Sequence, residues 1–296
     1  MKRVIAIMLL LAVGLGLLAC AVTEESPAAE SPAPTELTVT FSTSAPTMEP
    51  VTLVIELPTE TAQSAAQTMV PTFTPEPTAT PAPLAGKVIG LDPGHQQRYD
   101  PNPEPVAPGS LTTKQRVAGG TRGIVTRIYE YEVNLQVGLL LRDMLEEAGA
   151  TVIMTRTVND VCISNMERAL LFNEHMVDLA VRLHCNGSDD HSKHGAFMLV
   201  PTEGRTDWYE LNIEAALCII RSYCKTTGLT MLAERDGGLT YRSEQTGFNW
   251  CKRPIVNIEM GHLTNAEDEA KLVDPEFQKL MAKGIYLGIL EFFTGE

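Results

Sequence analysis

The chain has 296 residues and a formal net charge of −14, with 44% hydrophobic and 20% charged residues. An acidic balance without any basic run excludes a nucleic-acid-binding protein and a domain that docks on anionic lipid by charge. The charge is unevenly spread: Lys2 and Arg3 at one end and eight glutamates between residues 21 and 85 leave −8 on residues 86–296.

The chain opens "MKRVIAIMLLLAVGLGLLAC", two cations followed by an apolar run that closes on small residues before Cys20, the layout of a secretory signal. Residues 4–19 are too short a run for a membrane span of about 20 residues, and no cation follows to halt transfer. The stretch "LLAC" resembles a bacterial lipoprotein signal, which implies that residues 1–20 are a lipoprotein signal cleaved before Cys20, the lipidated first residue of the mature protein and its membrane anchor. Residues 21–85 are rich in Thr, Pro, Ala, Ser and Glu and lack Lys and Arg. Such a composition cannot bury enough apolar surface to offset the entropy of ordering, so a disordered tether is expected, with "VTLVIEL" as its one strand-like patch. A flexible tether of this length spans about 45 Å.

Residues 86–296 suffice for one α/β domain. Short β-branched runs, "KVIGL", "TVIMTR", "LAVRLHCN", "GAFMLV" and "PIVNIEM", alternate with longer helix-patterned segments. That alternation predicts a mostly parallel twisted sheet flanked by helices, with any site at the carboxyl ends of strands. Cys162, Cys185, Cys218, Cys224 and Cys251 are odd in number and form no CxxC, so neither a disulfide framework nor a structural zinc site is implied.

The first chemical feature is "LDPGHQQ", a strand that ends in Asp-Pro-Gly and delivers His95; a turn and a metal ligand are both open readings. The next is the helix after Tyr129. At 100° per residue, Val133, Val137, Leu141, Met144 and Leu145 fall within about 60° of Glu130, which places that carboxylate on the apolar face, while Glu132 falls on the opposite side. A carboxylate aimed at a core is paired, protonated or metal-bound, or it caps the helix. A second strand, "DLAVRLHCN", ends in His184, and two histidines with a carboxylate can hold zinc with one position left for water. The strand "PIVNIEM" carries Glu259 at its end, suited either to a structural ion pair or to proton transfer beside a metal. His175, His191 and His194 read as surface residues. Asp92 and Asn186 stand next to the candidate ligands, where either could support them or form turns.

Together, "IGLDPGH", "YEYEVNLQVGLLLRDMLEEAGATVIMTR", "RLHCNGSD" and "IVNIEMGHLTNAEDEAKL" resemble, in order and separation, the zinc-dependent N-acetylmuramoyl-L-alanine amidases of amidase family 3, over about residues 86–295. The resemblance implies zinc held by His95, Glu130 and His184, Glu259 as the catalytic acid–base, and peptidoglycan as substrate, cut between N-acetylmuramic acid and L-alanine of the stem peptide. It implies an exported, lipid-anchored monomer facing the cell wall. The chain departs from the family at His262, where an apolar residue is usual, at Cys185, where a small one is, and in the insert-like segment between His95 and Glu130. That insert and "RSEQTGFNW" are expected to shape substrate recognition. The rival readings are a non-catalytic wall-binding lipoprotein and a zinc carboxypeptidase acting on stem peptides.

Overall fold

The computed structural model describes residues 82–232 and 236–295; the signal, Cys20 and "VTLVIEL" lie outside them. Along the described residues the elements run β1 (Val88–Pro93), β2 (Asp100–Pro105), β3 (Thr113–Val117), α1 (Glu130–Glu147), β4 (Thr151–Met154), α2 (Asn165–Glu174), β5 (Leu179–Asn186), β6 (Phe197–Pro201), α3 (Tyr209–Thr227), β7 (Leu239–Arg242), α4 (Thr246–Trp250), β8 (Ile255–His262), α5 (Ala266–Leu272) and α6 (Pro275–Thr294). Six strands make one sheet in the order β4-β1-β5-β8-β6-β7. All its pairings are parallel except β6 with β8, so the expected mostly parallel α/β architecture is observed.

Alternation along the central strands divides the sheet's two faces. Ile89 and Leu91 of β1, Leu179, Val181 and Leu183 of β5 and Val256 and Ile258 of β8 join the larger core with Val133, Val137, Leu141 and Leu145 of α1 and residues of α3 and α6. The i, i+4 spacing of that α1 stripe is what buries it. Ala180 and Ile255 join a smaller core with Ala169 and Phe172 of α2 and Phe248 of α4. The α2 start is fixed by a reciprocal cap, Ser164 Oγ accepting from Glu167 N and Glu167 accepting from Ser164 N. On this second face the alternate positions near the strand ends are polar: Asp92, Arg182, His184, Asn257 and Glu259.

Two findings extend the sequence reading. Leu84, which composition puts in the tether, is fully buried in the larger core, and its amide donates to Ala148 O at 2.9 Å. The segment after His95 forms an antiparallel hairpin of β2 and β3 apart from the main sheet. The hairpin is docked by polar contacts: Trp250 Nε1 donates to Pro105 O (2.8 Å), Asn249 Nδ2 to Val106 O (3.1 Å) and Asn165 Nδ2 to Arg116 O (3.0 Å).

Candidate metal centre and active-site cleft

Three segments deliver one side chain each to the carboxyl end of the sheet. His95 follows β1, Glu130 opens α1 and His184 lies near the end of β5; one ligand-type atom from each falls within 4.8 Å of the others. His95 Nε2 and His184 Nδ1 face the Glu130 carboxylate at 3.3 and 3.0 Å. Glu132, by contrast, accepts from Tyr129 N at 2.9 Å at the helix start, so capping falls to Glu132 and not to Glu130. Burial pushes the Glu130 carboxyl up, but the two imidazoles and the Thr121 amide overcome it and hold the pKa at about 2. Burial, only partly offset by Glu130, brings His184 down to about 4, so its ring is neutral, as a metal ligand must be.

The surroundings are cut to this group. His95 takes a left-handed backbone, φ 56°, and its Nδ1 lies 2.8 Å from Ala118 O, which leaves Nε2 directed at Glu130. A Cβ on Gly94 would stand 2.2 Å from the His184 ring, and one on Gly120 would stand 2.7 Å from Glu130 Oε2. Both glycines therefore make room for the triad. Glu130 Oε1 also accepts from Cys185 N (3.0 Å) and Asn134 Nδ2 (3.3 Å). His184 Nε2 is one of three buried polar atoms without a hydrogen-bond partner among the described residues. Two imidazoles, one of them with an unsatisfied buried nitrogen, and an ionised carboxylate fit a divalent cation.

Neither Asp92 nor Asn186 hydrogen-bonds a candidate ligand side chain. Fully buried Asp92 accepts from Arg168 Nη1 (2.5 Å), Arg182 Nε (2.8 Å) and Thr155 Oγ1 (2.7 Å). The arginines in turn grip the turn that carries His95: Arg168 Nη2 donates to His95 O (3.2 Å), and buried Arg156 donates to Pro93 O (2.8 Å) and Gly94 O (3.1 Å). Sequence reasoning passed over these arginines, although Arg182 stands inside an apolar strand, where a charge needs a partner. Asn186 packs against His262 instead, Nδ2 to Nε2 at 3.0 Å, and His262 Nδ1 lies 3.1 Å from Gly195 O. His262 is thus a buried, hydrogen-bonded neighbour of the site, with burial lowering its pKa.

Glu259 is the Cα partner of His184 across β8 and β5. It is 9% exposed, and Asn257 Nδ2 donates to its Oε1 at 3.1 Å. Burial, reinforced by the Glu130 charge, pushes its carboxyl up to about 8.

The sequence profile of the N-acetylmuramoyl-L-alanine amidases matches residues 89–291. The chain belongs to this family. Among its relatives, the amidase is 28% identical to the germination-specific N-acetylmuramoyl-L-alanine amidase of Bacillus subtilis over 72% of this chain and 82% of that one. It is 26% identical to an N-acetylmuramoyl-L-alanine amidase of Mycobacterium tuberculosis, over 73% of this chain and 90% of that one. The crystal structure of apo Ami1, the N-acetylmuramyl-L-alanine amidase of Mycobacterium abscessus, superposes with a TM-score of 0.65 at 28% identity, covering 71% of this chain and 99% of that one.

In the amidase two cavities meet at the triad. The larger, about 630 Å³, is lined by the triad with Asn186, Asp189 and His191, so His191 belongs to the cleft wall although its side chain is exposed. The smaller, about 330 Å³, runs toward the β2–β3 hairpin and α4, and both share His95, His184 and Glu259. The insert and "RSEQTGFNW" thus come together as the wall of the second cavity.

Proposed function

We propose that this amidase is a zinc-dependent peptidoglycan hydrolase that cuts the amide between N-acetylmuramic acid and L-alanine of the stem peptide, with His95, Glu130 and His184 as the zinc ligands and Glu259 as the catalytic acid–base. The observation that carries the reading is the convergence of two imidazoles on an ionised, buried carboxylate, one strand away from a second carboxyl of raised pKa. Zinc, when bound, polarises an amide carbonyl and makes water acidic near neutral pH. Glu259 accepts the proton of the attacking water and delivers it to the departing L-alanine nitrogen. Burial raises its pKa, which favours a carboxyl that can give back the proton it takes, and Asn257 Nδ2 donates to one of its oxygens. His262, through Asn186, orders the cleft wall beside His184.

The same reading has residues 1–20 export the chain, Cys20 carry a lipid at the outer face of the cell membrane, and residues 21–85 give the catalytic domain reach into the wall. No helix among the described residues is long and apolar enough to cross a membrane.

The test is a digest of purified peptidoglycan with and without a chelator, followed by mass analysis. Intact free stem peptides, lost with chelator and recovered with added zinc, are expected. Loss of a single terminal residue would make the protein a carboxypeptidase instead, and binding without release would make it a wall-binding lipoprotein.

A further inference from the structure

The two cavities that meet at Glu259 differ in charge. The larger has Asp189 and Glu130 in its lining and neither Lys nor Arg. The smaller has Lys114 and Arg182, and among the described residues Glu259 is the only acid in its lining. This cationic pocket stands out in a domain whose net charge is −8.

Behind the pocket, three buried guanidiniums, Arg156, Arg168 and Arg182, accompany one carboxylate, Asp92, an excess of two positive charges among these side chains. Arg182 uses Nε on Asp92, one Nη1 proton on Gln245 Oε1 (3.2 Å) and one Nη2 proton on Asn165 Oδ1 (3.2 Å). A guanidinium has five N–H groups, so one on each terminal nitrogen remains. Lys114, from the β3 strand of the hairpin, also lines the pocket, and its Nζ donates to Glu244 O at 2.9 Å, which leaves two of its three protons. Two cations with spare donors, lined by side-chain amides, recognise a carboxylate. The pocket shares Glu259 with the reaction centre, so a group bound in it sits within a residue or two of the scissile bond.

We propose that the smaller cavity is the stem-peptide subsite and that Lys114 and Arg182 select a free carboxylate on the residue following L-alanine; this rests on the amidase reading above. The glycan, neutral and rich in hydroxyls along its repeat, occupies the larger cavity. The hairpin is thereby a specificity element, and Lys114 is its charge-reading residue.

Two synthetic muramoyl peptides, identical except for a carboxylate or a carboxamide on the residue after L-alanine, test this. The wild-type holoenzyme is expected to prefer the carboxylate form about tenfold or more in kcat/KM, as a charged hydrogen-bond pair implies. Lys114→Gln lowers kcat/KM for the carboxylate form about three- to fivefold, mainly through KM, and lowers it less for the carboxamide form; Lys114→Glu widens the difference. No preference in the wild type, or equal loss on both compounds in the variants, overturns the subsite. Calorimetric binding of both compounds to the Glu259→Gln protein separates the two readings. Preferential binding of the carboxylate form with no cleavage by the wild type sinks the amidase reading and keeps the subsite. Cleavage of both compounds with equal binding does the reverse.

Discussion

His184 and Glu259 face each other Cα to Cα across the parallel pair β5 and β8, and the register slips immediately afterwards, between His184 and Asn186. Strand pairing alone therefore sets a candidate metal ligand and a candidate proton carrier side by side. Replacing Glu259 with Gln keeps size and hydrogen bonding but removes the titrating proton. Hydrolysis of purified wall is expected to fall about 10²- to 10⁴-fold, with bound zinc by elemental analysis unchanged. Wild-type rates in this variant would remove Glu259 from the mechanism.

Gly94 tests the centre from the other side. A methyl at this position would overlap the His184 ring, 2.2 Å from its nearest carbon, and turn the imidazole away from Glu130. The Gly94→Ala protein is expected to bind zinc about 10- to 100-fold more weakly, read by competition with a chromogenic chelator. Unchanged affinity would mean that the ring is not held where a metal needs it.

Asp92 predicts the acid limb of stability. Burial opposes its charge, but Arg168 and Arg182 overcome burial and hold the carboxyl well below the usual range. A folded-state value below the unfolded one, about 3.9, means that ionised Asp92 stabilises the fold above that pH and that this contribution drains away as the pH falls further. The urea midpoint of the wild type should therefore drop between about pH 5 and pH 2. Asp92→Asn is expected to cost about 3–5 kcal/mol at neutral pH, because it strands buried guanidiniums, and to show a shallower acid decline. An equally steep decline in the variant would assign the acid sensitivity to other groups.

Leu84 makes a prediction about where folding begins. Its side chain is fully buried and its amide is bonded to Ala148 O. A fragment starting at residue 86 should be less stable than one starting at residue 82 by about 2–5 kcal/mol in urea titration, the cost of an emptied leucine site. Equal midpoints would show that the contact contributes nothing.

The proposed anchor is checked by Cys20→Ala. The wild-type protein is expected to partition with detergent and the variant with the aqueous phase. A variant still bound to membranes would exclude a lipid on Cys20 as the attachment.

The strands of the main sheet were legible in the sequence because runs such as "LAVRLHCN" and "PIVNIEM" are buried on both faces and so read as continuous apolar segments. Glu130 was separable from Glu132 because helical periodicity distinguishes the two faces of α1. The hairpin was not legible. The strand "DPNPEP" holds three prolines and pairs with the polar "TKQRV", so neither alternation nor β-propensity marks it; side-chain hydrogen bonds from Asn165, Asn249 and Trp250 hold it down. The antiparallel direction of β6 was hidden for a different reason: strand composition carries no information about which way a neighbour runs. Support for the ligands was sought beside them in sequence, at Asp92 and Asn186. Direct contacts come mostly from main-chain groups of Ala118, Thr121 and Cys185, which no residue type announces, while Asp92 acts at one remove, through Arg168, on the turn that carries His95.

The three strands that present the centre, β1, β5 and β8, are neighbours in the sheet but stand far apart in the chain, with His95 and Glu259 separated by most of the domain. Contacts of such long sequence separation carry a loop-closure cost that slows folding. On the proposed reading, an unfolded chain carries no hydrolytic centre, and a proteolytic fragment lacking β8, and with it Glu259, carries none either. The topology thereby ties the proposed activity to the intact fold, because no single stretch of the chain holds the centre.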